Sequence, residues 1–413
     1  MIKLGFGLLL ATAALGGSAT AADRSHWVTT WGSSQMVAEG ANALPAEQLS
    51  GTTIRQLIRT SIGGQILRVR FSNAFGTAPL VVRGARIARS ADLATPRIAP
   101  GTDRALTFGG SSSVTIPAGA EYLSDPVKLA VGPLATLAIS LHLVEAPKVQ
   151  TSHPGSRTTS WILAGDQLSA AAPQPIAQAD HWYLISGVEV LANQCSQAIA
   201  LLGDSITDGY GVKPNTNLRW TDALAERLQK QRGLSGLGIV NLGIGGNRIL
   251  RDGLGPNAAA RFHRDVLSRP GIKHLIILEG VNDLGTLTRE KPVSADEHRQ
   301  LVTDIIAAYR QMIAAARERG IRVYGATILP YGTSEYYHPN AENEADRQAI
   351  NAWIRKPGNF DGLIDFDAAM RDPNTPNRLR KEYDSGDGLH PSMAGYRAMA
   401  GMVPLKLFAG SRC

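Results

Sequence analysis

The sequence predicts two folded parts: an all-β, sandwich or jelly-roll-like domain, and after it an α/β domain whose parallel sheet is covered by helices. From about residue 26 to residue 191, short runs rich in Val, Ile, Leu and Thr alternate with turns of Gly, Pro, Asn and Ser. After residue 195, apolar strand-like runs alternate with helical stretches. The 413 residues, 44% of them hydrophobic, suffice for two domains.

The first 21 residues have the features of a secretory signal peptide. Lys3 supplies the positive end, LGFGLLLATAALGG is apolar but short for a membrane span, and Ala19–Ala21 is a small-residue cleavage site. Cleavage there would leave Ala22 as the first residue, whereas the alternative is an uncleaved membrane anchor. We therefore expect a secreted or periplasmic protein without stable membrane insertion, since no later segment has the length and apolarity of a transmembrane helix.

The segment 22–193 is the predicted all-β domain. WVTTW, TIRQLIRTSI, QILRVRFSNAFG, LVVRGARIA, LATLAISLHLV and WYLISGVEVL are typical of strands, and apolar Leu67, Val69 and Phe71 alternate with polar residues. A helical stretch is suggested only near PAEQLS. Many short strands with regular turn signals favour a sandwich or a jelly roll.

The segment 194–413 is the predicted α/β domain. AIALLG, GIVNLG, HLIILEG, RVYGATIL and LIDF are strand-like, and helical stretches such as RWTDALAERLQKQ separate them. The longest predicted helix, ADEHRQLVTDIIAAYRQMIAAARERG, has an apolar stripe and stops at Gly320. In parallel sheets, ligands bind beyond the carboxyl ends of the strands, so the residues after each strand are the candidates for a site.

Charge, cysteines and missing motifs exclude several classes of protein. The net charge of +7 is spread along the chain without a concentrated basic tract, which argues against a nucleic-acid partner. Cys195 and Cys413 cannot form a CxxC redox or zinc motif; they either remain as two thiols or, as we predict, pair as a disulfide. The sequence contains no P-loop, no HExxH and no G-x-S-x-G elbow, and the absence of this elbow argues against the common α/β-hydrolase type of serine esterase.

Three motifs that follow predicted strands, and a fourth that precedes the last predicted helix, supply the residues of a candidate catalytic site. GDSIT places Ser205 after the first strand, NLGIGG places Gly246 after the second and EGVNDLG places Asn282 after the third, while DGLHPS places Asp387 and His390 before the last helix. A serine hydroxyl needs a base to take its proton, histidine can be that base, and a carboxylate orients the imidazole. We therefore predict a catalytic triad of Ser205, His390 and Asp387.

The second predicted feature is an oxyanion hole. Attack on an ester creates a tetrahedral oxyanion that needs preorganised hydrogen-bond donors. The backbone N–H groups of Ser205 and Gly246 and the side-chain amide of Asn282 can converge there, and glycine allows a close approach of the backbone. Two alternatives stay open. Gly246 and Asn282 can be turn residues, and Asp387 can be a helix-start residue instead of the carboxylate that orients His390, since Asp384 is nearby.

Ser205, Gly246, Asn282 and His390, in this order, resemble the residue set of the SGNH hydrolases, also called the GDSL esterase and lipase family. Asp387 matches the family's Asp-x-x-His pair, and the chain reads GDSI where the family name has GDSL. The resemblance covers the chain from about residue 196 onward. It implies a flavodoxin-like sheet and a shallow open site without metal or cofactor. WVTTWGSS and RVRFSNAFG resemble the β-rich leader of a bacterial subset of this family.

Further polar and aromatic residues have two interpretations each. Candidate substrate-binding residues are Asp208, Arg248 and His338. The alternatives are a loop hydrogen bond for Asp208, a salt bridge for Arg248 and a surface histidine for His338. Three tryptophans suit a sugar platform but equally a core or a domain interface, namely Trp27, Trp31 and Trp182.

We expect a serine esterase that hydrolyses short-chain acyl esters, foremost acetyl esters, of a small molecule or a carbohydrate. The loops expected around the site are rich in Gly, Asn, Asp, Ser and Pro and offer little apolar area for a long acyl tail. Two alternatives are a polysaccharide O-acyltransferase and a carbohydrate-binding protein with a vestigial hydrolase domain. The sequence indicates no oligomeric state.

Overall fold

The computed structural model describes residues 25–411. The predicted signal peptide at residues 1–21 lies outside the described residues, and so does Cys413, so that the predicted pair of Cys195 with Cys413 stays a prediction. None of the helices between residues 25 and 411 combines the length and the apolarity that a membrane crossing requires.

The first part of the described chain consists mainly of antiparallel strands. The strands are β1 (His26–Gly32), β2 (Met36–Val37), β3 (Thr52–Arg59), β4 (Gly64–Ser72), β5 (Leu80–Arg89), β6 (Arg104–Leu106), β7 (Val114–Ile116), β8 (Glu121–Leu123), β9 (Val127–Val131), β10 (Thr136–Leu143), β11 (Thr151–His153), β12 (Ser160–Ala164), β13 (Pro175–Ala179), β14 (Trp182–Tyr183) and β15 (Ile185–Ala192). A 3₁₀ turn (Gly40–Asn42) and the one-turn helix α1 (Ala46–Leu49) precede β3.

These strands form two large sheets and one small one. The five-stranded sheet has the order β1-β15-β4-β8 with β9 beside β4, and the seven-stranded sheet has the order β13-β12-β3-β10-β5-β6 with β7 beside β5. In β4, Leu67, Val69 and Phe71 are buried, while Arg68 and Arg70 between them are partly exposed. Apolar residues of both large sheets share one buried cluster, which confirms the predicted all-β sandwich.

The second part alternates strands with helices. Its strands are β16 (Gln197–Gly203), β17 (Leu237–Gly243), β18 (Ile272–Leu278), β19 (Arg322–Ala326) and β20 (Gly362–Ile364). Its helices are α2 (Ser205–Asp208), α3 (Trp220–Lys230), α4 (Ala258–Phe262) continued by a π-helical turn (His263–Leu267), α5 (Val281–Thr288), α6 (Ala295–Glu318), α7 (Ala341–Arg355), α8 (Phe366–Met370), α9 (Met393–Met402) and a 3₁₀ turn (Leu405–Ser411).

The five strands β16 to β20 form one parallel sheet in the order β17-β16-β18-β19-β20. Numbered within this sheet, the order is 2-1-3-4-5, which is the flavodoxin-like order, so the predicted fold of this domain is confirmed. The central strand β16 is fully buried from Ala198 to Leu202, because helices cover both faces of the sheet. Helix α6 begins after the N-cap Ser294 with a capping box to Glu297, and the chain leaves it at Gly320, as the sequence predicts.

The two parts pack directly against each other. The predicted domain boundary at residues 193/194 falls in the connection between β15 and β16. Strand β1 packs on β17 so closely that a Cβ atom on Gly32 would lie 2.5 Å from Cγ1 of Val240. Trp31 and Trp182 are buried near this contact with ring centroids 4.9 Å apart, which places them in the core and not on a sugar platform.

Candidate active site

Ser205 lies at the carboxyl end of the central strand β16, where the strand turns directly into α2. The Asp204 carboxylate accepts a hydrogen bond from the Ile206 N–H at 2.9 Å and so caps the helix. The turn is tight, because a Cβ atom on Gly203 would lie 2.1 Å from Oγ1 of Thr207. Gly209 ends α2 with φ +91°. The Ser205 hydroxyl is thereby presented at the sheet edge where ligands bind in this fold.

Asp387 and His390 meet in the short segment before α9. Oδ1 of Asp387 accepts hydrogen bonds from the N–H groups of Leu389 (2.9 Å) and His390 (2.8 Å), so the chain folds back on the carboxylate. Its Oδ2 then lies 2.6 Å from Nδ1 of the His390 ring. Asp384 contacts backbone N–H groups of this segment, including that of Gly388, so that Asp387 is the carboxylate at the imidazole.

The environment of Asp387 keeps it negatively charged. Partial burial acts to raise the pKa of Asp387, but the hydrogen bonds from the ring and backbone of His390 and from the Leu389 N–H outweigh burial and hold the pKa well below its ordinary value of 3.8. An ionised carboxylate at Nδ1 fixes the proton on that nitrogen. The other ring nitrogen, Nε2, is then the one that can accept a proton.

Ser205 and His390 are in hydrogen-bond contact, with Oγ 2.8 Å from Nε2. Because Nδ1 donates to Asp387, the serine hydroxyl donates to Nε2. Both side chains are largely buried, with 6% and 8% of the residue surface exposed. The structure thus brings the three predicted triad residues into one chain of hydrogen bonds that can take the proton from Oγ.

Gly246 and Asn282 line the same cleft as Ser205 and His390. The side-chain amide of Asn282 is oriented from both ends: its Oδ1 accepts from the Tyr337 hydroxyl at 2.6 Å, and its Nδ2 donates to the Asn247 carbonyl at 2.7 Å. An amide nitrogen carries two N–H groups, so the second can serve a ligand in the cleft. Gly246 has φ +69°, which favours glycine.

The cleft has a volume of about 860 Å³ and is flanked by exposed apolar and aromatic side chains. Tyr210 and Tyr336 are 46% and 61% exposed, and Leu254 is 71% exposed. The Tyr210 ring also stacks on the His390 ring, with centroids 4.0 Å apart. This surface can contact the part of a ligand that extends away from Ser205.

Of the three predicted substrate-binding residues, the structure brings only Arg248 to the lining of this cleft. Its guanidinium donates to the Asp252 carbonyl. Asp208 is instead buried, with Oδ1 2.9 Å from Nε2 of His153, because α2 turns its last residue toward the antiparallel sheets. His338 is exposed outside the cleft lining, and its neighbour Tyr337 points inward to Asn282.

A group of buried carboxyl groups lies around the start of α2. Burial raises the pKa of Asp204 to about 7 and that of Asp283 to about 6, and it raises the pKa of Glu279 well above its ordinary value. The fully buried Arg261 lies 3.4 Å from Glu279 and limits the accumulation of negative charge. Between residues 25 and 411, no group of three or more His, Cys, Asp or Glu side chains is arranged to hold a metal ion.

Comparison with known protein families matches the second part of the chain. Residues 201–398 match the family described as "GDSL-like Lipase/Acylhydrolase family". The C-terminal domain belongs to this family. The GDSL domain, from β16 to α9, contains Ser205, Gly246, Asn282, Asp387 and His390 within the matched residues. Membership implies a hydrolase of the esterase or lipase type.

Solved structures are similar to about half of this chain at low sequence identity. A GDSL-like lipase from Bacteroides thetaiotaomicron is 18% identical, with 52% of this chain and 89% of that chain covered and a TM-score of 0.38. An acetyl xylan esterase from Geobacillus stearothermophilus is 22% identical, with 51% and 94% covered and a TM-score of 0.37. No curated protein sequence matches the chain.

Sequence analysis missed three side chains that contact the predicted site residues. Tyr210 stacks on His390, Tyr337 orients Asn282, and His153 binds Asp208. Tyr210 closely follows the GDSIT motif, and Tyr337 directly precedes His338. The sequence therefore indicated the two loops of the site, but not that these tyrosine side chains contact His390 and Asn282. His153 lies in the antiparallel part of the chain and has no local signal that would connect it to Ser205.

Proposed function

We propose that this protein is a serine esterase that hydrolyses short-chain acyl esters, foremost acetyl esters, with Ser205, His390 and Asp387 as its catalytic triad. The proposal rests on one observation: Oγ of Ser205 lies 2.8 Å from Nε2 of His390, whose Nδ1 lies 2.6 Å from Asp387. These three residues supply the nucleophile, the general base and the group that orients the base.

In the proposed reaction, Ser205 Oγ attacks the carbonyl carbon of the ester while its proton moves to Nε2 of His390. The negative charge of Asp387 stabilises the imidazolium that forms. The developing oxyanion accepts hydrogen bonds from the backbone N–H groups of Ser205 and Gly246 and from Nδ2 of Asn282. The imidazolium then protonates the departing alcohol, which leaves an acyl-serine.

The second half of the reaction uses the same groups. A water molecule gives a proton to Nε2 of His390 and attacks the acyl carbon, and the returned proton releases Ser205 and the carboxylic acid. The wide cleft beside Tyr210 and Tyr336 gives water access to the acyl-serine, which supports hydrolysis over transfer to a second alcohol.

We further propose that the alcohol part of the substrate is a small molecule or a carbohydrate. Exposed aromatic faces suit the C–H surface of a sugar, and the exposed rings of Tyr210 and Tyr336 flank the cleft that contains Ser205. The first 21 residues support export, so an extracellular or periplasmic substrate fits this proposal.

The experiment that tests the proposed function compares the wild-type protein with Ser205→Ala on p-nitrophenyl acetate. We expect the substitution to lower kcat/KM by at least about 10³-fold. A fluorophosphonate should label wild type at Ser205, identified by mass spectrometry. Ser186→Ala, a buried serine of β15, is the matched control and should keep full activity. Activity of Ser205→Ala within tenfold of wild type would refute the assignment of the nucleophile.

A further inference from the structure

His153 connects the antiparallel part of the chain to the helix that begins at Ser205. It is the last residue of β11 and is 4% exposed. Its Nε2 lies 2.9 Å from Oδ1 of Asp208, the last residue of the four-residue helix α2. Ser205 is the first residue of the same helix, so a contact made by a residue of the β sandwich region reaches the nucleophile within one helical turn.

The His153 ring is fixed on several sides. Its Nδ1 lies 2.8 Å from the Ser34 carbonyl, which can only accept, so Nδ1 donates and Nε2 faces Asp208. The ring stacks on Trp182, whose indole N–H donates to the Leu57 carbonyl at 2.8 Å. The imidazole therefore offers Asp208 one position and not a range of positions.

Helix α2 is also closely confined. A Cβ atom on Gly155 would lie 1.7 Å from Oδ2 of Asp208, and one on Gly243 would lie 2.4 Å from the Asp208 nitrogen. Arg219 donates from Nε to the Asp208 carbonyl and from Nη2 to the Ser156 carbonyl. Since a single helical turn is not stable by itself, these outside contacts determine where α2 lies.

A second contact from the same region reaches the other end of the hydrogen-bond chain. The Arg157 guanidinium carbon lies 5.6 Å from the centroid of the Tyr210 ring, and Tyr210 stacks on His390. Arg157 has φ +50°, a left-handed conformation that is uncommon outside glycine. The segment from His153 to Arg157 therefore contacts the neighbours of both Ser205 and His390.

We propose that His153 is a positioning residue of the active site: through Asp208 it holds α2 so that Oγ of Ser205 stays within hydrogen-bond distance of His390. The inference rests on the proposed esterase function and extends it. Because His153 belongs to the antiparallel part of the chain, that part becomes necessary for turnover. Displacement of a reacting group by about 1 Å can cost about 10²-fold in rate.

The test compares three variants of the full-length protein: His153→Ala, His153→Gln and His142→Ala. Glutamine keeps a polar amide group that can hydrogen-bond to Asp208 at the place of Nε2. His142 is the matched control, a histidine of β10 whose Nδ1 contacts the Thr52 carbonyl. On p-nitrophenyl acetate we expect His153→Ala to lower kcat by about 10–10²-fold with KM changed less than threefold. His153→Gln should recover most of the loss, and His142→Ala should match wild type.

Amide hydrogen exchange in the peptide that spans residues 204–210 gives a readout that does not depend on activity. The N–H groups of Asp208, Gly209 and Tyr210 donate to carbonyls at the start of α2. We expect at least tenfold faster exchange there in His153→Ala, with no change in His142→Ala or in peptides of the parallel sheet. Unchanged exchange in α2, a kcat within twofold of wild type, or a loss without rescue by glutamine would each overturn the proposal. A wild type without esterase activity would refute the proposed function, whereas the exchange result would still decide the role of His153.

Discussion

Replacement of Asn282 by alanine should separate transition-state stabilisation from substrate binding. The substitution removes Nδ2, the one side-chain donor among the three proposed for the oxyanion. In comparable sites the loss of one such donor costs about 2.7–4 kcal/mol of barrier, so we expect kcat to fall by about 10²–10³-fold. KM should change little, since the donor is used mainly in the transition state.

The structure also gives the expected cost of this substitution in stability. Alanine would leave the Tyr337 hydroxyl and the Asn247 carbonyl without their partners at 2.6 Å and 2.7 Å. An unsatisfied buried polar group costs about 1–3 kcal/mol. We therefore expect a lower Tm for Asn282→Ala, and assays well below that temperature keep the kinetic comparison valid.

The control is Tyr337→Phe, which removes the hydrogen bond to Oδ1 but keeps Nδ2 of Asn282. Because the Asn247 carbonyl still orients the amide, we expect a loss in kcat of about tenfold or less, equivalent to about one neutral hydrogen bond. Initial rates on p-nitrophenyl acetate over a range of concentrations give kcat and KM for each variant. A raised KM with unchanged kcat in Asn282→Ala would refute the oxyanion assignment.

Three further predictions concern the base, the acyl chain and pH. His390→Ala should lose about as much activity as Ser205→Ala, and the double variant should lose little more, because the two residues act as a unit; additive losses in kcat/KM would contradict this. Activity on p-nitrophenyl esters should be highest from acetyl to butyryl and fall steeply by octanoyl, because a missing apolar trough forfeits about 0.8 kcal/mol per CH₂; rising kcat/KM through decanoyl would indicate a true lipase. Burial raises the pKa of Asp283 from 3.8 to about 6, so the folded state binds more protons between these values. The stabilisation by the protonated Asp283 is complete below pH 3.8 and is lost as pH rises through about 6. The free energy of unfolding should therefore fall by about 3 kcal/mol over this range. Asp283→Asn should flatten this fall in denaturant titrations at pH 4.5 and 7.5, and an unchanged difference between the two pH values would show that another group is responsible.

The fold could be predicted from the sequence because its signals are local. The alternation of Leu67, Val69 and Phe71 reflects a strand with one buried face, and the unbroken apolar run from Ala198 to Leu202 reflects a strand buried on both. In a parallel sheet all carboxyl ends lie at one edge. Residues that follow different strands, such as Ser205 and Asn282, could therefore be expected to meet although they are far apart in the chain.

The contacts that orient those residues could not be predicted, because they depend on the packing of distant segments. His153 reaches Asp208 only through the docking of the antiparallel sheets on α2, and no spacing in the sequence encodes that arrangement. In the loop after β19, His338 has φ +47° and is exposed, while Tyr337 points inward to Asn282. Which of two neighbouring residues faces the cleft is decided by the backbone of the loop and not by residue type.

The close packing of β1 on β17 has a consequence for how the chain folds and can be cut. One apolar cluster contains Trp31 and Ile58 from the antiparallel sheets together with Val240 and Leu242 from the parallel sheet. Expression of residues 194–413 alone would uncover this face of the parallel sheet, an apolar patch of the kind that leads to aggregation. The antiparallel sheets therefore supply part of the apolar core against which the parallel sheet of the GDSL domain packs.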